Sequence, residues 1–141
     1  MNVKVIYRSR KGHTETIAEE IARHCETEAL DITVPHVLGE PDLLFIGTGI
    51  YNSKPDELLM DYLDQLPVNK IRGAAIFCTA GYGEDHTGLM VSVLEHKGIT
   101  VYRQRFCCRG RWLWRSKGHP DDEDIKNAGE FADKVLRAFQ G

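Results

Sequence analysis

The apolar positions of the chain change period at regular intervals, and these changes mark out its elements. Val3, Val5, Ile6 and Tyr7 form a short β-branched run that ends at a polar, glycine-containing segment, Arg8-Ser9-Arg10-Lys11-Gly12-His13-Thr14. From Thr14 the apolar residues fall at Ile17, Ala18, Ile21, Ala22 and Cys25, the stripe of an amphipathic helix, with Glu19 four residues ahead of Arg23 on the polar side. Ala29 to Val34 predicts a weak second strand, and Pro35 to Pro41 leaves room only for a turn or an abbreviated helix. Leu43 to Ile46 is a continuous apolar run without alternation, as expected for a central strand covered on both faces.

That run ends in Gly47-Thr48-Gly49 and a predicted loop reaching residue 54, with Pro55 at a first helical position and Asp56 and Glu57 in the first turn. Leu58, Leu59, Tyr62, Leu63 and Leu66 make the buried stripe of this helix, and Pro67 ends it. Ala74 to Cys78 repeats the buried-strand pattern and runs into a second glycine-rich loop, Thr79-Ala80-Gly81-Tyr82-Gly83. Met90, Val91 and Leu94 mark a helix that stops at Gly98. Ile99 to Phe106 predicts a fifth strand, placed at a sheet edge because it carries Arg103 and Arg105. A last helix covers Asp121 to Phe139. Strands alternating with helices in this way predict one three-layer α/β domain spanning residues 1–141, with a parallel sheet between helices.

Composition narrows the function classes. The 141 residues suit one domain. With 18 Lys and Arg against 21 Asp and Glu the net charge is −3, too balanced for a protein that coats polyanions. No apolar run approaches the roughly 18 residues of a membrane span. No signal-peptide core precedes Gly12, so the expected location is cytoplasmic, with no membrane association. The four cysteines, at 25, 78, 107 and 108, form no CxxC pair and predict reduced thiols without disulfides.

Ligands of an open parallel sheet bind beyond the carboxyl ends of its strands. Segments 8–14, 47–54, 79–88 and 107–119 all follow predicted strands and therefore converge there. The first is an anion site on physical grounds: Gly12 admits close backbone approach, the helix start offers unpaired amides, Ser9 and Thr14 add hydroxyls, and Arg10 and Lys11 add charge. It has neither the Walker spacing nor the three glycines of a dinucleotide fingerprint. Acids are missing after the first and third strands, which excludes a phosphoacceptor receiver domain. The first loop has no cysteine, which excludes a cysteine phosphatase.

These residues carry a resemblance. Val5 to Glu15 resembles the opening of the flavodoxins, whose phosphate loop reads [ST]-x-[ST]-G-x-[ST]; Ser9, Gly12 and Thr14 match. Lys11 stands where the family has a hydroxyl residue and offers a point charge in its place. Asp42 to Tyr51 and Ala75 to Gly83 resemble the two flavin loops of that family, and the ending through Phe131-Ala132 is similar to short flavodoxin-family proteins, so the likeness covers nearly the whole chain. It implies a five-stranded parallel sheet in the order 2-1-3-4-5 with helices on both faces, and one non-covalent FMN. Ser9, Arg10, Lys11, Gly12, His13 and Thr14 would cradle the phosphate. Thr48, Gly49, Ile50, Tyr51 and Asn52, with Thr79, Ala80, Gly81, Tyr82 and Gly83, would flank the ring. Tyr51 and Tyr82 are the expected stacking residues, and segment 49–52 the one expected to rearrange on reduction.

The implied function is electron transfer between redox enzymes. The alternatives are an FMN-dependent reductase of a small substrate such as a quinone, and a flavin-free interaction module. Between Val101 and Pro120 six basic residues and no acid occur around Trp112 and Trp114. A surface for nucleic acid would have this composition, but the net negative chain argues against it. The stretch from Arg103 to Lys117 is instead expected to dock an acidic redox partner or to cover the flavin. Adjacent Cys107 and Cys108 point to opposite strand faces, so no metal site with His119 is expected. Cys108 reads as a buried thiol.

Overall fold

A computed structural model of the chain describes residues 1–110, 118 and 120–140. Elements follow in the order β1 (Val3–Arg8), α1 (His13–His24), β2 (Ala29–Asp31), β3 (Leu43–Tyr51), β4 (Lys54–Pro55), α2 (Glu57–Asp64), β5 (Gly73–Ala80), α3 (Gly88–His96), β6 (Thr100–Val101), β7 (Phe106–Arg109) and α4 (Asp122–Gln140). The sheet runs β2-β1-β3-β5-β6, all parallel, with β3 at its centre. This is the 2-1-3-4-5 path.

The strand pleat sends alternate side chains to the two faces. Val5, Tyr7, Phe45 and Phe77 pack with Ile17 and Ile21 of α1 and Ala132 and Val135 of α4. Ile6, Leu44, Ile46 and Ile76 pack with Leu59 and Leu63 of α2 and Met90 and Leu94 of α3. Each fully buried Leu, Ile or Phe contributes roughly 1.5–3 kcal/mol, so the two faces together fix the register of the central strands. On the first face His24 Nδ1 lies 3.0 Å from Asp133 Oδ1, joining α1 to α4. Gly129 makes room for the imidazole, since a Cβ there would stand 2.4 Å from His24 Nε2.

Several expectations are corrected. The described sheet has seven strands, not five. The expected fifth strand, Ile99 to Phe106, divides into β6 and β7, which pair with opposite ends of β5, and residues 102–105 lie outside both. The second strand stops at Asp31, whose carboxylate accepts from the Thr33 amide and hydroxyl and turns the chain. Segment 47–54 is not a loop. β3 continues to Tyr51 and folds back antiparallel on β4 through Asn52 and Ser53, both left-handed at φ 52° and 62°. Pro55 therefore ends a strand, and Asp56 is the N-cap of α2 rather than part of its first turn. Leu58 is 53% exposed instead of buried.

The absence of disulfides is also corrected: Cys78 and Cys107 are joined, with their Cα atoms 4.7 Å apart. The two positions are direct neighbours across β5 and β7. Cys107 and Cys108 do point to opposite faces, Cys108 lying in the α1/α4 core.

Candidate functional site

The carboxyl ends of β1, β3, β5 and β7 meet at one edge of the sheet, where Arg8 pairs with Thr48, Gly49 with Thr79, and Ala80 with Arg109. A cleft of about 250 Å³ opens there, lined by Ser9, Arg10, Lys11, His13, Thr14, Gly49, Ile50, Tyr51, Thr79, Ala80, Gly81 and Gly110. It thus joins the first loop, the end of β3, the end of β5 and the end of β7. A roomier groove of about 470 Å³ lies between α2 and α3 around Val68, Val93 and His96. It sits at the C-terminal ends of those helices, away from the strand ends, and lacks a glycine-rich turn.

The floor at the first loop is built by a short turn. Gly12 takes φ 89°, a left-handed conformation that glycine adopts cheaply, and its amide donates to Ser9 Oγ at 2.9 Å. Gly12 is the N-cap of α1, and no side chain caps that helix. The positive end of α1 accordingly lies at a cleft whose lining includes the hydroxyls of Ser9 and Thr14 and the cations of Arg10 and Lys11. Thr14 is buried, and its hydroxyl meets that of Thr79 at 2.9 Å, linking the helix start to the end of β5.

On the β3 side, Asp56 organises the charges. It is 2% exposed; its Oδ1 caps α2 by accepting from Leu58 and Leu59, and its Oδ2 accepts from Arg10 Nε at 3.0 Å with Arg8 Nε at 3.9 Å. Arg8 also donates through Nη1 to the Ser9 carbonyl at 2.6 Å. Held in this way, Arg10 places its guanidinium carbon 3.7 Å from the centre of the Tyr51 ring. Burial pushes the Tyr51 phenol above its ordinary pKa, against the opposing pull of Arg10. Gly49 is required beneath this ring, because a Cβ there would stand 2.3 Å from the Tyr51 hydroxyl.

Eleven of the expected site residues line the cleft; Gly12, Thr48, Asn52, Tyr82 and Gly83 do not. Gly12 and Gly83 shape the turns beneath it, both at positive φ. Thr48 is fully buried, its hydroxyl accepting from the Asp56 amide at 3.0 Å and donating to the Gly49 carbonyl at 2.7 Å. Asn52 belongs to the hairpin turn, and Tyr82 is 61% exposed outside the lining. Two residues escaped the sequence reading. Gly110 enters the cleft from the end of β7, where a Cβ would come within 3.2 Å of Thr79 and 3.3 Å of His13. Asp56 could be read as a helix-start residue, but nothing local tied it to Arg10.

Of the basic stretch, Arg103 and Arg109 are exposed and Arg105 donates to Asp85 at 3.2 Å. Arg111, Trp112, Trp114, Arg115, Lys117 and His119 lie outside the described residues. Cys108 is buried, and burial, reinforced by Asp124 and Asp121, raises its thiol to about 12. No helix among the described residues is long and apolar enough to cross a membrane.

No family model matches the chain. Over 152 residues, covering 97% of this chain and 99% of the other, it is 30% identical to the uncharacterized protein MJ0298 of Methanocaldococcus jannaschii. The chain belongs to the family of that archaeal protein. Solved structures share the architecture of this chain. A flavodoxin from the domain Archaea superposes with a TM-score of 0.80 at 17% identity, covering 100% of both chains. Oxidised Flavodoxin 1 from Bacillus cereus does so at 0.75 and 18%, covering 97% of this chain and 98% of its own. Rubredoxin oxygen:oxidoreductase from Desulfovibrio gigas matches at 0.75 and 15%, over 98% of this chain but 36% of the larger protein. The fold of the MJ0298-family chain is flavodoxin-like.

Proposed function

We propose that the protein binds FMN in this cleft and carries electrons between larger redox proteins. The observation that carries this reading is the meeting of an uncapped helix N-terminus with Ser9, Lys11, His13 and Thr14 in the same cleft as Tyr51 and the backbone of Thr79 to Gly81. A phosphate dianion fits the first set, which offers amide, hydroxyl and cationic donors. A flat ring with polar edges fits the second, which offers an aromatic side chain, small residues and main chain along the cleft wall. Gly110 keeps the wall between them thin.

Bound FMN would supply one- and two-electron redox chemistry, and the protein would bind, orient and shield it. Ser9, Lys11, His13 and Thr14 would hold the phosphate, with Arg10 adding charge from its place on Asp56. Gly49 to Tyr51 and Thr79 to Gly81 would flank the ring. The hairpin turn at Asn52 and Ser53 fixes Tyr51 between Gly49 and Arg10, so any backbone rearrangement on reduction would centre on that turn. Exposed Arg109, paired with Ala80 at the cleft, and exposed Arg103 farther along the same sheet edge suit an acidic protein partner.

An absorption spectrum of the purified protein, chromatography of heat-released cofactor, and FMN titration by fluorescence test the reading. A flavin spectrum with FMN on release is expected. Gly12→Asp should abolish binding by placing a like charge against the phosphate, and Lys11→Glu, on an exposed side chain, should weaken it without disturbing the fold. Micromolar affinity retained by both would exclude this loop. A colourless protein that gains no thermal stability from excess FMN would exclude the cofactor.

A further inference from the structure

Cys78 and Cys107 occupy directly paired positions on the parallel strands β5 and β7. Their neighbours Phe77, Phe106 and Cys108 point into the α1/α4 core, so by alternation both sulfurs lie on the opposite face. The Cα separation of 4.7 Å equals the ordinary spacing of paired strands and lies within the span of a disulfide. The backbone ladder thus holds the two sulfurs at bonding range whether or not they are bonded, and the bond can open and close with the strands in place.

The surroundings make the two sulfurs unequal. Cys78 is fully buried and its Sγ lies 3.9 Å from the Glu84 carbonyl, an acceptor for an S–H, whereas Cys107 is only partly buried. The Asp85 carboxylate comes within 4.8 Å of both sulfurs. It is engaged by the Thr87 amide at 2.9 Å, by the Thr87 hydroxyl and by Arg105 Nε at 3.2 Å. With that oxygen set committed to Arg105 and Thr87, and the sulfurs bonded to each other, the cluster reads as a thiol redox site and not as a cation site.

We propose that Cys78 and Cys107 are a redox-active pair that exchanges two electrons with an external dithiol. The dithiol's thiolate attacks Sγ of Cys107, the less buried cysteine; the Cys78–Cys107 bond breaks, and Cys78 leaves as thiolate and takes up a proton beside the Glu84 carbonyl. The second thiolate of the reductant then attacks its own sulfur in the mixed disulfide, releasing Cys107, which is protonated. The external dithiol has become a disulfide, the protein disulfide has become two thiols, and two electrons and two protons have moved. The pair also sets how firmly β7 is tied to β5, and β7 delivers Gly110 to the cleft, where its amide donates to the Ala80 carbonyl at 2.9 Å. The inference stands on the paired cysteines and does not require that FMN bind.

The test equilibrates the purified protein, carrying Cys25→Ser and Cys108→Ser, in buffers of reduced and oxidised dithiothreitol, followed by acid quench, alkylation and mass measurement. Alkylation of Cys78 and Cys107 is expected to rise together across the series, reversibly, with unchanged far-ultraviolet dichroism. Hydrogen exchange at the Cys107 to Arg109 amides should become about tenfold faster on reduction. A further Cys107→Ser change should remove that dependence. A bond that resists dithiothreitol until the protein unfolds would make it a static cross-link and overturn the proposal. So would thiols that stay reduced in oxidised dithiothreitol, or stoichiometric zinc held by them.

Discussion

Arg10 rests on the face of Tyr51, 3.7 Å from the ring centre, while its Nε donates to buried Asp56. The two residues come from the ends of different strands, and the contact makes the β3 hairpin part of the same wall as the first loop. One face of the aromatic platform is therefore cationic, and a planar ligand meets either its other face or a displaced guanidinium. Replacing Tyr51 by Ala removes the platform, and FMN affinity is expected to fall by up to about tenfold, the worth of one aromatic contact. Tyr51→Phe should bind within about twofold of the parent. Fluorescence titration distinguishes the two.

Asp56 has two duties, and substitution separates them. Asp56→Asn keeps the cap of α2 but leaves Arg10 without its anion; Asp56→Ala loses both. The alanine variant is expected to lose about 2–4 kcal/mol and the asparagine variant about half of that, read by urea denaturation.

Gly47 is demanded by the core. A Cβ at that position would stand 2.1 Å from Cε2 of Phe77, a fully buried ring. Gly47→Ala should cost at least about 1–3 kcal/mol. Gly88 opens α3 with nothing within 4 Å, so Gly88→Ala should be neutral or stabilise by up to about 1 kcal/mol. Equal effects in the two variants would contradict the packing described.

Asp85 carries a pH dependence. Burial by itself would raise its carboxyl, but hydrogen bonds from the Thr87 hydroxyl and amide and from Arg105 outweigh it and hold the group below the ordinary 3.8. A carboxyl lowered on folding stabilises the native state at pH values above its unfolded pKa, and that contribution disappears as pH falls through the folded value. The tie between segment 84–87 and Arg105 should therefore persist at neutral pH and loosen only below about pH 4. Thr87→Val should raise the Asp85 value, as measured by carboxyl NMR titration.

The Cys78–Cys107 bond spans 29 residues of sequence. Closing a loop of that length in the unfolded chain contributes about 3–4 kcal/mol. The reduced protein should melt at a correspondingly lower temperature while keeping the same secondary structure, and Cys107→Ser should match the reduced form under all redox conditions.

The amino-acid sequence alone determined the succession of the four helices with strands β1, β2, β3 and β5, the central strand buried on both faces, the helix stripes of α1 and α4, and the convergence of glycine-bearing turns at one sheet edge. All of these are written in periods of two or about 3.6 residues and in turn residues, which act locally. It also brought Ser9, Gly12 and Thr14 into one turn, because they lie within six residues of one another. Tertiary structure alone decided the rest. Asn52-Ser53 lacks the glycine that announces a tight hairpin, so the continuation of β3 to Tyr51 depended on its pairing with β4. The division of the last strand depended on which part of 99–109 found a partner on β5. Cys78 and Cys107, Arg10 and Asp56, and Gly110 and His13 are separated by long stretches of chain. Parallel pairing carries no local mark of register, because burial on both faces removes the alternation that would reveal it. Which distant residues meet was fixed only when the two cores packed and brought the strand ends into line.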